Sequence, residues 1–183
     1  TILPLYINEY TPANLDDSPG ATVRYVAALE RARTAGARAC WSEPGQPYLH
    51  CNDYSINGLL NSSSEATSLW WVYERYAELA GQMVSVHSSS RDEVDGVASW
   101  DGRTLRILVG WGNAKYGGPG SASAPGPLAY LTLRGLPNGL WRTATINAEY
   151  LAPEPLGRCG VTSYCQVWTA PVCSGEVVVN LPQ

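Results

Sequence analysis

The stretch ILPLYINEY, residues 2–10, decides how this chain is read. It is a short apolar run ending in polar residues, and Leu5, Ile7 and Glu9 fall on one face at period two. That is the pattern of a buried strand carrying an acid at its C-terminal end. A turn-rich stretch follows, after which Ser18-Pro19 supplies a helix N-cap with proline at the first helical position. Val23, Val26, Leu29 and Ala32 make one stripe of the predicted helix, Arg24 and Arg31 lie on another, and Gly36 is expected to end it. A second short strand is predicted over residues 37–41, ARACW, followed by a loop over 42–64 that is too long to be a mere connector. Ser62 and Glu65 have capping-box spacing. Leu69, Val72, Tyr73, Tyr76, Leu79 and Ala80 then recur at helical intervals until Gly81. Strand, helix, strand, helix is the grammar of a parallel α/β architecture, in which helices cover the sheet faces.

After Gly81 the grammar changes. Residues 83–87, 94–100, 104–109, 128–134, 140–150 and 176–181 are short β-branched or alternating runs separated by turn residues. Asp101-Gly102 joins two of them and Asn138-Gly139 precedes another, both hairpin signals because these pairs accept positive φ. Residues 115–127 form a Gly/Pro/Ser/Ala connector. The reading is therefore an α/β part over residues 1–81 and an all-β part, an antiparallel sandwich, over 82–183.

Composition narrows the function classes. The 183 residues are 45% hydrophobic, enough for a core, and only 15% charged, with a net charge of −4. All the basic residues but Lys115 are Arg scattered singly, so no basic patch for nucleic acid is expected. The longest uncharged runs, 116–133 and 159–175, are broken by Gly, Pro, Ser and Thr, so no membrane span is expected. Five cysteines, Cys40, Cys51, Cys159, Cys165 and Cys173, suit disulfides in an oxidising compartment; Cys40 and Cys51 are one candidate pair, and the connectivity stays open. Asn61-Ser62-Ser63 is a glycosylation sequon. Thr1 reads as a cut end. The expectation is a secreted protein.

Among chemistry-bearing residues, Glu9 is the sharpest feature. An ionisable side chain at the carboxyl end of a barrel strand faces the barrel mouth, where active sites of that architecture lie. Its rival reading is a strand-end carboxylate satisfied by Arg or backbone donors. Asp16, Asp17 and Glu43 belong to loops near the same strand ends. Seven Trp and eleven Tyr with no Phe favour side chains that combine an apolar face with a hydrogen-bonding edge, as sugar binding needs. Trp41, at the end of the second predicted strand, would face the same mouth as Glu9. His50 and His87 are the only imidazoles and the late cysteines lack zinc spacing, so neither metal nor cofactor is expected. No nucleophile elbow, phosphate loop or dinucleotide fingerprint is present.

Taken in order, ILPLYINEY, the helix containing VRYVAALERA, then GARACW, WWVYERYAELAG and DGVASWDGRTLRILVGW, the chain resembles the C-terminal portion of a clan A glycoside hydrolase, closest to xylosidase- and iduronidase-like secreted proteins. The resemblance implies the last two units of a (β/α)8 TIM barrel followed by an accessory β-sandwich. It implies Glu9 as the nucleophile at the end of strand seven and Trp41 at the end of strand eight. Glu43, Asn52 and Asp53 are candidate sugar-contacting residues beside them. The general acid of that clan, at the end of strand four, has no counterpart here, because six barrel units are missing. The apolar faces of Ile2, Leu5, Ile7 and the first helix would then be left in water at about 25 cal/mol for each Å². The implied partner is an N-terminal chain from the same precursor. A non-catalytic carbohydrate-binding or structural descendant is the competing expectation.

Overall fold

The computed structural model describes residues 5–10, 18–38, 56, 58–60, 63–111, 130–135, 143–150, 164–171 and 177–180. The chain divides into two compact units, Thr1–Ala122 with Leu151–Thr162, and Ser123–Tyr150 with Ser163–Gln183.

In the first unit, strand β1 (Tyr6–Tyr10) leads to helix α1 (Pro19–Ala32), which returns the chain to strand β2 (Ala35–Arg38), parallel to β1. Parallel pairing requires such a crossover. Helix α1 starts where the sequence says it should: Ser18 Oγ accepts from the Ala21 N–H at 3.2 Å and Pro19 occupies the first position. It ends earlier than predicted. Arg33 takes the left-handed conformation at φ 51°, its N–H reaching Glu30 O at 3.1 Å, and Gly36 lies inside β2 instead. A Cβ at Gly36 would approach Leu29 Cδ1 and Tyr10 Cδ1 at 3.1 Å, so close packing of β2 beneath the helix explains that glycine.

Helix α2 (Ser68–Ala77) begins after Thr67, not after the predicted box at Ser62 and Glu65. The Thr67 hydroxyl makes no cap; it donates to the Gly58 and Leu59 carbonyls, both at 3.0 Å, and so ties the preceding loop to the helix start. Strands β3 (Gln82–Val84), β4 (Val94–Trp100) and β5 (Leu105–Trp111) form an antiparallel sheet in the order β3-β4-β5. The Asp101-Gly102 hairpin joins β4 to β5: Gly102 has φ 95°, and Asp101 Oδ1 accepts from the Arg103 and Thr104 N–H groups at 2.9 and 2.7 Å.

The core of this unit lies between α1 and that sheet. Val26 and Ala27 of α1 meet Val97 of β4, and Tyr73, Tyr76, Leu79 and Leu108 pack around them. Each fully buried Val contributes about 1.5–3 kcal/mol over its exposed state. The buried face of α1 runs through Ala21, Thr22, Val23, Val26 and Ala27, whereas Ala32 is exposed. The predicted stripe therefore holds for its first half only.

In the second unit, β6 (Tyr130–Leu133) pairs antiparallel with β9 (Val177–Asn180), and β7 (Thr143–Tyr150) with β8 (Tyr164–Pro171) over eight residue pairs. Strand β8 was not expected, because its alternation is hidden in a cysteine-rich stretch. Asn138-Gly139 does not mark a β6–β7 hairpin: those strands belong to different two-stranded sheets. Val177 and Val179 are buried while Val178 is exposed, the alternation of a one-sided sheet. Among the described residues no closed barrel forms, and no helix is long and apolar enough to cross a membrane.

Candidate active site

Because β1 and β2 run parallel, their C-terminal ends lie side by side, with Tyr10 in register with Arg38. Glu9 is the residue before Tyr10. Tyr6 and Ile7 pair with Ala35 and Gly36, yet Tyr10 pairs with Arg38, so β1 spends one more residue than β2 between its last two pairs. That extra residue is a bulge at Asn8–Glu9. Bulges bend a strand and re-aim its side chains, and they are over-represented next to active sites. The bulge also breaks the period-two alternation from which Leu5, Ile7 and Glu9 were expected to share a face.

Tyr10 is the best-anchored residue of the strand. It is buried, while Leu5, Tyr6 and Ile7 are 66%, 69% and 38% exposed. Its hydroxyl is hydrogen-bonded to that of Tyr73 on α2. Its ring lies 5.6 Å from that of Tyr25 on α1, tilted by 34°. Burial raises the pKa of both Tyr10 and Tyr73, and the Arg38 charge opposes the rise at each. A turn further along α2, the Tyr76 hydroxyl donates to the Glu30 carboxylate; burial first, and then that acceptor, push Tyr76 up to about 12. Three α2 and β1 tyrosines thus stay protonated, and neutral hydroxyls can serve as hydrogen-bond donors over the whole physiological range.

The other predicted site residues lie elsewhere. Trp41, Glu43, Asn52, Asp53 and the sequon residue Asn61 fall outside the described residues, as do Cys40, Cys51, Cys159 and Cys173. Cys165 is in β8, opposite Glu149. Tyr10, Arg38 and the Tyr10–Tyr73 contact were missed by sequence reasoning. The available signal was an aromatic residue directly after the strand-end acid, together with tyrosines three apart on α2.

Neither a protein-family model nor a curated protein matches the chain. Among solved structures, the chain is similar to protein N2152 from Neocallimastix frontalis, with a TM-score of 0.72 and 21% identity. The match covers 97% of this chain and 41% of that protein, so the chain spans well under half the length of the protein whose fold it shares.

Proposed function

We propose that this chain is the C-terminal part of a secreted retaining glycoside hydrolase, in which Glu9 is the nucleophile and the acid/base carboxyl belongs to a separate N-terminal chain of the same precursor. The observation that carries the proposal is the state of β1. Parallel sheets are ordinarily covered on both faces, yet Leu5, Tyr6 and Ile7 stand exposed on a two-stranded parallel sheet. Among the described residues, a parallel sheet of two strands with exposed apolar side chains is one that further strands would complete. A fold match extending over nearly all of this chain but 41% of a longer protein is in keeping with a segment that completes a larger body.

The strand end supports the choice of residue. Tyr10 packs towards the helices through Tyr25 and Tyr73. Glu9 is the residue before Tyr10 at the C-terminal end of β1, and in barrel enzymes the C-terminal strand ends carry the active site. Glu9 attacks the anomeric carbon as the glycosidic oxygen departs, that oxygen taking its proton from the partner's carboxyl about 5–5.5 Å away. Water, deprotonated by the same carboxylate, then cleaves the glycosyl ester and frees Glu9. Trp41 offers a face beneath the sugar, and Glu43, Asn52 and Asp53 hydrogen-bond its hydroxyls.

Treatment of the assembled protein with fluorinated activated glycosides, followed by peptide mapping, tests this reading. A glycosyl adduct on the peptide containing Glu9 is expected. Absence of an adduct across several sugars, with sugar binding retained, would point instead to a non-catalytic carbohydrate-binding protein.

A further inference from the structure

We infer that the Tyr10–Tyr73 hydroxyl pair is a lock on the C-terminal end of β1, and that Tyr73, from helix α2, thereby acts as a positioning residue for position 9. The consequence for catalysis rests on the reading of Glu9 as nucleophile; the lock itself does not.

The argument begins from the bulge. An extra residue leaves Asn8 and Glu9 without the ladder partners that hold a regular strand, so the backbone there needs another restraint. Upstream, Leu5 to Asn8 are exposed and supply little packing. Downstream, Tyr10 is held from three sides: by the Tyr25 ring of α1, by the Tyr73 hydroxyl of α2, and by Gly36 of β2, where a Cβ would come within 3.1 Å of Tyr10 Cδ1. Beyond the backbone pairing of Tyr10 with Arg38, the hydroxyl contact alone among these has directional geometry. Rings slide over one another at small cost, whereas a buried hydroxyl that loses its partner leaves an unsatisfied polar group. The pair therefore sets the distance between the β1 end and α2, and with it the backbone of the residue one peptide upstream. A nucleophilic carboxylate displaced by about 1 Å from its attack geometry can lose up to a hundredfold in rate.

The test uses the assembled protein and four variants: Tyr73→Phe, Tyr10→Phe, the double Tyr10→Phe/Tyr73→Phe, and Glu9→Gln. Two readouts are taken, hydrolysis kinetics with their pH profile and amide exchange of the peptide spanning residues 6–10. For Tyr73→Phe the lock requires faster exchange at residues 8–10, a fall in kcat of about ten- to a hundredfold with KM within about threefold, and a shifted acid limb of kcat/KM. The double variant, which removes both polar groups and keeps both rings, recovers stability without recovering the pH profile. Should Tyr73→Phe not fold, Tyr10→Phe carries the same measurements. Unchanged exchange and kinetics in the single variants, beside an inactive Glu9→Gln, would overturn the lock and leave the nucleophile standing. Full activity in Glu9→Gln would overturn the nucleophile, and faster exchange in Tyr73→Phe would then still support the lock.

Discussion

Asp95 of β4 has a side chain only 2% exposed, and the Arg31 guanidinium from the last turn of α1 closes on it with two parallel bonds, 2.9 and 2.5 Å long. The Gly96 N–H adds a third donor at 2.9 Å. The pair joins helix to sheet, but its two members are not equivalent. Arg31 is 35% exposed and keeps access to water when its partner goes, whereas Asp95 does not. Arg31→Met should therefore cost about 3–5 kcal/mol, because it leaves a buried carboxylate with the Gly96 N–H as its remaining donor among the described residues. Asp95→Asn, which retains an acceptor, should cost roughly 1–2 kcal/mol. Urea unfolding of the two variants measures the difference; equal losses would mean the carboxylate is not the vulnerable partner.

The N-terminus of α1 lies backbone to backbone on β5. A methyl on Gly110 would collide with the Gly20 carbonyl oxygen and come within 2.6 Å of Val23 Cβ, and one on Gly20 would strike the Trp111 carbonyl oxygen. None of these three obstacles is a flexible side-chain end. Gly110→Ala should lower stability by about 1–3 kcal/mol or more, since the helix must lift off the sheet to admit it. Thermal unfolding reads this directly, and a change within about 0.5 kcal/mol would contradict the close approach.

Local signals carried the elements that depend on near neighbours. Ser18-Pro19 predicts the start of α1, Asp101-Gly102 the β4–β5 hairpin, and the short run over 94–100, bounded by turn residues, the strand found at Val94–Trp100. What failed depends on partners distant in sequence. Periodicity places Arg31 off the apolar stripe of α1, and its approach to Asp95, sixty-four positions away, leaves no trace there. Helix α2 starts after Thr67, whose hydroxyl donates to the Gly58 and Leu59 carbonyls and not to the helix, a tie that a capping-box search cannot see. Trp70 of α2 is exposed, and Trp71 beside it carries the Arg75 guanidinium over its ring at 5.6 Å, a placement that helical periodicity does not show. At the candidate site, Glu9 was visible as a strand-end acid. The bulge that changes its register was not, since bulges arise from the pairing of two strands and not from either alone.

The protonated tyrosines predict an alkaline limit. Tyr76 titrates at about 12 in the folded chain against 10.0 for the free side chain, and burial raises Tyr10 and Tyr73 in the same sense. Below pH 10.0 both folded and unfolded states hold these protons and stability keeps its full value. Above it the unfolded chain releases protons that the folded chain retains, so stability falls, and the fall ends once pH passes the folded value. Unfolding free energy should therefore be flat up to that point and decline beyond it, with tyrosinate absorbance rising in a second step that coincides with unfolding. Tyr76→Phe should shallow the decline. A single tyrosinate step at the ordinary value would show that these hydroxyls are not withheld from solvent.

The exposed apolar residues of β1 allow a separation of folding from assembly. Leu5 and Ile7 are exposed in this chain, so Leu5→Lys with Ile7→Lys should change its own stability by no more than about 0.5 kcal/mol. If an N-terminal chain completes the sheet, the same side chains become buried and contribute about 1.5–3 kcal/mol each to the assembly, and lysines there would add uncompensated charge. Co-expression followed by native mass measurement should then show loss of the two-chain species with no change in the unfolding curve of this chain alone. Val26→Lys serves as the contrast, because Val26 is buried between α1 and β4 and its replacement should unfold the chain itself. Assembly that survives both β1 lysines would place the partner's contact elsewhere and remove the main physical support for an incomplete barrel.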